Sequence, residues 1–497
     1  MPGKPTQKKH YTDLNKRLDK YCILVQSLFG KCNEKAANAA VSTGYSIESG
    51  VPFLFADFPT AKARIDKAIK AYARDMERLI TTGMRKEWER ANVIQDRFAD
   101  ESLSYYYKNK GGNRTRQYYR RNERALEAFA QRKDRGMTLS GKIWNLSDNY
   151  RRGIEKTISV ALEMGTDAKT LAKQLTKYLR NTKEVNREYK RLYGVDGGVE
   201  NIDYRAMRLA RSEINMAYRL AERNRWNQFD FVVGYEIRTN GGAGCKGICE
   251  ELAGVYPRDF FWLGWHPSCR CYEVPIMKSL TGFINGEGES IDEFPDNYAD
   301  WLDENEKKII DSPSLPYHIR DNYNDFENEG IVHECRKRKY YELCENPDYS
   351  DVELNSDYGL KATHAEHNFD KRGGLFELEV QEAGYRAGNE VIFEKEKDGK
   401  LGQRFTEGTW NGKNFEVAGC ETATSNNILH GLSHCASKRT TQVCVIDFPN
   451  GGFDKKTLER SLRRYKGLRK NNNEQYIEFE RIICVQDGKI ILDMPFP

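Results

Sequence analysis

Apolar residues in the first half of the chain recur every three or four positions, which is the spacing of one face of a helix. The clearest stripe comprises Ile65, Ile69, Tyr72, Met76 and Leu79. The residues between them are mostly charged, so the pattern predicts a long amphipathic helix with one face in a core. Similar stripes predict further helices around Ile154–Leu162, Leu171–Leu179 and Ala206–Ala221.

The period changes near residue 231, where the β-branched and aromatic stretch FVVGYEIR predicts a strand. A second pattern of short strands and helices begins near residue 359. It includes the turn dipeptide Asn411–Gly412 between two short apolar runs, which is a strong hairpin signal. The predicted fold class is therefore multidomain: a mainly α-helical N-terminal half with a small Cys-rich β segment, then an α+β C-terminal domain.

These changes of pattern predict five segments. They are an N-terminal extension (1–55), a helical domain (56–230), a Cys-rich β clasp (231–278), an acidic linker (279–358) and an α+β domain (359–497).

Composition narrows the function classes only slightly. The 497-residue chain has a net charge of +5, which by itself does not imply nucleic-acid binding. Lys and Arg outnumber acids between residues 62 and 156, and the balance reverses between 281 and 357. No apolar run approaches the length of a membrane span, and the amino end lacks the apolar stretch of a secretory signal, so we expect a protein made in the cytosol without membrane contact.

Four of the 12 cysteines are concentrated in two close pairs, in GAGCKGICEELAG and GWHPSCRC. Short-spaced cysteine pairs joined by a loop are typical of structural zinc sites. The candidate ligands are Cys245, Cys249, Cys269 and Cys271, with His266 as a substitute. A disulfide is the alternative, and either would make the segment a structural clasp, since no base lies beside a cysteine to activate it for catalysis.

The stretch LARSEINMAYRLAERNRWNQFDFVVGYEIR, followed by the cysteine pairs, resembles the phage Mu F-like minor head proteins (the head morphogenesis family). The resemblance spans roughly residues 55–278, although the first pair is C-x3-C where the family has C-x2-C. It implies a low-copy component of the virion head at the portal vertex. Such a protein would contact the portal protein and other head proteins, lie near phage DNA, and be present in the host cytoplasm during assembly.

The last 135 or so residues resemble phage-associated nucleases of the barnase–EndoU–colicin–RelE type, and the tRNase toxin domains of contact-dependent inhibition proteins. The stretches that carry this are EGTWNGKNFEVAG and ATSNNILHGLSHCASKRTTQVCVIDF. The resemblance implies RNA or tRNA as substrate and an immunity protein as partner.

The residue types in this region suit metal-independent RNA cleavage, which needs a base, an acid and a cation and no catalytic cofactor. His367 and His434 are the preferred acid–base pair, because histidine titrates near neutral pH. The wider catalytic set adds His364, His430, Lys438, Glu407 and Glu416, and the nucleic-acid-binding set is Thr424, Asn426, Asn427 and Arg439.

Two observations keep other functions open. Glu416-Val-Ala418 occupies the place where metal-dependent nucleases carry Glu-x-Lys, and the lysine is missing. The alternatives are a purely structural head protein whose last domain is an inactive binding module, and a polymorphic toxin that uses the head-like part as a carrier.

Overall fold

A computed structural model describes the chain except for residues 1–6, 45–50, 108–117, 135–136, 165, 167, 242–246, 286–288, 368, 370–373, 396–405, 439 and 472–475. The chain forms two compact units. Unit 1 is Met1–Trp301 with Pro316–His318, and unit 2 is Leu302–Leu315 with Ile319–Pro497. The coarse prediction of a helical N-terminal half and a sheet-containing C-terminal part is confirmed.

Unit 1 is built mainly from helices. Those before residue 290 are α1 (Gln7–Val41), α2 (Pro59–Tyr106), α3 (Glu123–Gln131), α4 (Leu139–Glu163), α5 (Ala168–Arg180), α6 (Thr182–Tyr193), α7 (Ile202–Trp226), α8 (Ile248–Glu251) and α9 (Leu280–Asn285). None of the described helices is both long enough and apolar enough to cross a membrane.

The predicted long helix is α2, and its apolar stripe packs in the core of unit 1. Ile65, Ile69, Tyr72 and Met76 are buried there, and Leu79 packs against them partly exposed. Burial of one stripe explains how a helix with this many charges is stable, because packing rather than propensity holds most protein helices.

The segment predicted as an N-terminal extension is part of this core. Helix α1 buries Leu14, Leu18, Val25 and Phe29 in the same cluster as α2, α4 and α7. The Tyr150 hydroxyl of α4 also donates a hydrogen bond to the carbonyl oxygen of Phe29 at 3.1 Å. Spacings of four and seven residues between these apolar positions carried the signal for a packed helix.

A three-stranded antiparallel sheet follows α7. It contains β1 (Val232–Arg238), which matches the predicted strand, with β2 (Gly254–Pro257) on one side and β3 (Tyr272–Met277) on the other. The described cysteines lie outside these strands: Cys249 is on α8, and Cys269 and Cys271 directly precede β3. The three strands thus lie within residues 231–278, but the described cysteines of that segment are not in a strand.

The segment predicted as an acidic linker is also largely folded. It contains α10 (Asp296–Ile310), α11 (Tyr317–Arg320) and α12 (Glu329–Cys344). Helix α12 buries Ile331, Cys335 and Leu343, and the last of these packs with strand residues of unit 2. The high acidic content hid these apolar positions, which recur at four and eight residues.

Unit 2 is an eight-stranded mixed sheet with helices on both faces. Its strands are β4 (Tyr349–Leu354), β5 (Leu360–His364), β6 (Glu390–Phe393), β7 (Gly408–Trp410), β8 (Lys413–Gly419), β9 (Val443–Asp447), β10 (Arg481–Gln486) and β11 (Lys489–Pro495). They lie in the order β11-β10-β9-β8-β7-β6-β5-β4, with β5–β6, β8–β9 and β9–β10 parallel. The remaining helices are α13 (Gly374–Arg386), α14 (Ser425–Ser437) and α15 (Lys455–Asn471). Because β4 begins at Tyr349, the unit starts before the boundary predicted at 359.

Alternation along β8 fixes which side chains face which helix. Phe415 and Val417 share an apolar cluster with Val380 of α13. Ala418 instead packs with Ile428 of α14, on the opposite face. The predicted hairpin joins β7 to β8, with φ of +46° at Asn411 and +77° at Gly412, as its turn type requires.

Candidate metal centres

Three cysteines of unit 1 converge in the fold. Cys249, Cys269 and Cys271 are all buried, and their sulfur atoms lie within 4.8 Å of one another. None of the three forms a disulfide. The arrangement can hold a metal ion. Cys245, the fourth predicted thiol, lies outside the described residues.

His266 lies beside one of these thiols. Its Nε2 atom lies 3.1 Å from the Cys249 sulfur, and its Nδ1 atom lies 3.0 Å from the carbonyl oxygen of Pro267. Donation from Nδ1–H to that carbonyl leaves the Nε2 lone pair directed at Cys249. This is the outer contact that orients a metal-binding imidazole.

The thiols share negative charge unequally. Burial raises the pKa of Cys269, but hydrogen bonds from Cys249 and Cys271 and the Arg219 charge outweigh it and hold the pKa well below the usual value. The pKa of Cys271 is raised by its hydrogen bonds to Cys249 and Cys269. Since metals bind thiolate, a ready thiolate within the cluster favours ligation.

Polar residues of α7 fix the loop that carries the cysteines. The buried Arg219 donates hydrogen bonds to the carbonyl oxygens of Leu263 (2.5 Å), Cys269 (3.1 Å) and Cys271 (2.6 Å). The Asn215 amide donates to the same Cys269 oxygen at 3.0 Å. Hydrogen bonds from Arg219 and Asn215 therefore hold the loop that carries the cysteines against α7.

Two more polar residues of α7, on the same side as Asn215 and Arg219, also bond to this region. The Ser212 hydroxyl accepts a hydrogen bond from the Ser268 backbone N–H at 3.0 Å, and Arg223 forms a fully buried ion pair with Glu273 of β3 at 2.6 Å. Sequence analysis predicted α7 only from its stripe of apolar residues around Ala206–Ala221 and missed these polar residues. Their spacing of three or four, from Ser212 through Arg223, was the available signal.

A second cluster lies in unit 2, around His367. The His367 Nε2 atom lies 3.3 Å from Glu377 Oε2 and 3.8 Å from Glu407 Oε2. The His367 side chain is fully buried, and its Nδ1 atom hydrogen bonds with the Glu394 carbonyl oxygen at 2.9 Å. One ligand atom from each of the three residues lies within 4.8 Å of the others, so this group can also hold a metal ion.

Lys438 connects this group to a third carboxylate, that of Glu416. Its Nζ atom lies 3.0 Å from Glu416 Oε1 and 3.9 Å from Glu407 Oε1. His434 approaches the same Glu416 oxygen at 3.0 Å, with 54% of its side chain exposed. Glu416 is fully buried, and its Oε2 atom has no hydrogen-bond partner among the described residues.

Strand register and helix placement explain this convergence. Gly408 of β7 pairs with Phe415 of β8, so the next position along brings Glu407 beside Glu416. Glu416 faces α14 in alternation with Phe415, and His434 and Lys438 lie one turn apart at the end of that helix. Glu377 enters from the first turn of α13.

The structure thus brings together five of the predicted catalytic residues, namely His367, His434, Lys438, Glu407 and Glu416. His364 is engaged elsewhere, since its Nδ1 accepts the Glu366 backbone N–H at 3.0 Å. His430 is exposed on α14 and has no hydrogen bond or ion pair to this cluster among the described residues. Sequence analysis missed Glu377, which sits in a predicted helix ten residues after His367 and gives no separate signal.

Most of the predicted nucleic-acid-binding residues serve the fold of α14. Thr424 is its N-cap and accepts the Asn427 backbone N–H at 3.3 Å. The Asn427 amide donates to the Thr422 carbonyl oxygen at 3.1 Å, and Asn426 accepts a hydrogen bond from Arg464 at 2.7 Å. Arg439 lies outside the described residues.

No protein-family model, curated protein or solved structure matches this chain.

Proposed function

We propose that unit 2 is a nuclease that hydrolyses phosphodiester bonds with the help of a divalent cation. The observation that carries this is the contact of His367 with Glu377 and Glu407, beside the buried Glu416–Lys438 pair. An imidazole nitrogen with two carboxylates is a donor set suited to Mn²⁺, Zn²⁺ or Mg²⁺.

The environment of His367 favours this mechanism over the metal-independent one expected from the sequence. A general base needs an acceptor atom open to the substrate hydroxyl, whereas both ring nitrogens of His367 are engaged, Nδ1 with the Glu394 carbonyl oxygen and Nε2 with Glu377. Only Nε2 is directed into the cluster, as in a metal ligand. His367, Glu377 and Glu407 would hold the ion, which would supply Lewis-acid polarisation of the phosphate.

The remaining residues have proton and charge roles in this proposal. The Glu416 carboxylate, whose Oε2 atom has no hydrogen-bond partner in the described part of the chain, accepts a proton from the attacking oxygen. Lys438 supplies positive charge to the phosphorane, from α14 rather than from the position of Ala418, where Glu-x-Lys nucleases carry it. The half-exposed His434 donates a proton to the leaving oxygen.

RNA is the proposed substrate, on the strength of the resemblance to phage-associated and toxin nucleases. The test is incubation of the full chain with total RNA, purified tRNA and duplex DNA in the presence of Mg²⁺ or Mn²⁺. We expect discrete RNA fragments that a Glu407→Gln variant does not produce. Intact RNA and DNA under all conditions would leave the inactive binding module as the better account of unit 2.

For unit 1 we propose the role of a minor head protein at the portal vertex of a virion, with zinc in its cysteine cluster. The support is the sequence resemblance over residues 55–278 and a helical body whose α7 is bonded to the cysteine loop. Portal and other head proteins, with packaged DNA nearby, are the proposed partners.

Counting the chain in purified virions by quantitative mass spectrometry tests this role. A few copies per particle, retained after DNA release, are expected. Its absence from particles, together with RNA cleavage, would favour the toxin that uses the head-like part as a carrier. In that case an immunity protein is the proposed partner, and it would suppress cleavage in the producing cell.

A further inference from the structure

We propose that the exposed face of α15 binds the phosphate backbone of the nucleic-acid substrate; this rests on the proposed nuclease function of unit 2. Helix α15 contains eight Lys and Arg residues and one acid, Glu459, within 17 positions. Phosphate contacts by such side chains supply most of the sequence-independent affinity of nucleic-acid-binding proteins.

One side of α15 packs in the core, and the other side leaves basic side chains exposed. Leu458, Leu462 and Tyr465 form the buried side of α15. The opposite side exposes basic side chains that form no ion pair with the described residues, namely Lys455, Lys456, Arg460 and Arg463. Lys456, Arg460 and Arg463 follow each other at four and three positions, so they form one continuous basic row.

This row belongs to the side of the sheet that carries the candidate centre. Helix α15 packs on α14 through Ser461, whose hydroxyl lies 3.0 Å from the Ser425 hydroxyl. Arg464 of α15 donates to Asn426 of α14 at 2.7 Å. Helix α14 in turn supplies His434 and Lys438 to Glu416. A nucleic-acid strand bound along α15 would therefore lie on the same face of the sheet as α14, which contributes His434 to the candidate centre.

The test uses the full chain with the Glu416→Gln change, so that bound nucleic acid is not cut. Affinity for labelled tRNA and for a labelled DNA duplex is measured by fluorescence anisotropy over a range of salt concentrations. The double change Arg460→Gln/Arg463→Gln is expected to weaken binding about 10-fold or more. It should also reduce the slope of log K against log salt by about 0.7–0.9 per lost phosphate contact.

Lys337→Gln/Lys489→Gln is the matched control, because it removes two exposed charges of unit 2 outside α15. Unchanged affinity in the Arg460/Arg463 variant, or an equal loss in the control, would overturn the proposal. The tRNA and DNA arms identify which phosphate backbone is preferred.

In the chain with Glu416 intact, the same arginine changes should raise KM and leave kcat unchanged. If the arginines govern binding but no substrate is cleaved, the docking surface stands and the nuclease function fails. If cleavage occurs with an unaltered KM, the nuclease function stands and the docking surface fails.

Discussion

Replacing Glu416 by glutamine should lower the rate of RNA cleavage by about 10²–10⁴-fold, the range typical of losing a general base. Glutamine keeps the size of the side chain and can still bond Lys438 or His434, so the strand packing around β8 is preserved. What is lost is the buried negative charge next to Lys438, and with it the proton acceptor. The measurement is single-turnover cleavage by the full chain.

The matched control is Glu382→Gln, which removes a glutamate of the same unit from the surface of α13, where it pairs with Lys361 and Arg386. This variant should cleave at the wild-type rate. Thermal unfolding should show both variants folded. Wild-type activity in a folded Glu416→Gln variant would remove Glu416 from the mechanism.

Removal of the proposed zinc from unit 1 is the second change with a large expected effect. Purified protein should contain zinc in unit 1, and a strong chelator should lower the unfolding temperature of that unit. Structural zinc sites contribute on the order of 10 kcal/mol of apparent binding energy to folding. Substituting Cys249 or Cys269 by serine should have the same effect, because each change removes one of the three clustered thiols.

Cys344→Ser provides the control, since Cys344 is exposed and outside the cluster. It should retain both zinc and the unfolding temperature of the wild type. Protein that purifies without metal and is indifferent to chelator would contradict the zinc assignment. A mass two protons lower per bridge, reversible by reductant, would instead identify the disulfide alternative.

Sequence patterns predicted those elements whose signal lies within the element itself. The stripe beginning at Ile65 predicted α2, because its spacing is that of one face of a helix. Asn411–Gly412 predicted the β7–β8 hairpin, because these residues favour the positive φ angles of its turn. Helix α1 was not predicted, and α10–α12 lie in a segment that was predicted only as an acidic linker with some helix. Their apolar residues are diluted by charged and small ones, and only tertiary packing reveals that they are buried.

The candidate site of unit 2 could be predicted as a set of residues but not as an arrangement. Histidine and glutamate content suggested His367, His434, Glu407 and Glu416 individually. Their contact depends on the register of β7 and β8 and on helices approaching from opposite faces of the sheet. Glu377 could not be found in this way, since a glutamate in the first turn of a helix is most often only favourable to the helix dipole.

For the cysteine cluster, in contrast, the sequence predicted which residues lie close together. Spacing alone pointed to Cys249, Cys269 and Cys271, which cluster in the fold, because metal-binding geometry restricts ligand spacing strongly. The support from Arg219 was invisible, since its partners are backbone carbonyls 44–52 positions away.

The central claim is that His367, Glu377 and Glu407 hold a divalent cation required for RNA cleavage. The most direct measurement is the initial cleavage rate of the full chain as Mn²⁺ is added back, after dialysis against a weak chelator that leaves the proposed zinc of unit 1 in place, beside a Glu377→Gln variant. We predict no cleavage without metal, a saturable rise with Mn²⁺, and a large shift of that curve to higher Mn²⁺ in the variant. Full activity without added metal, or superimposable curves for the two proteins, would contradict the account.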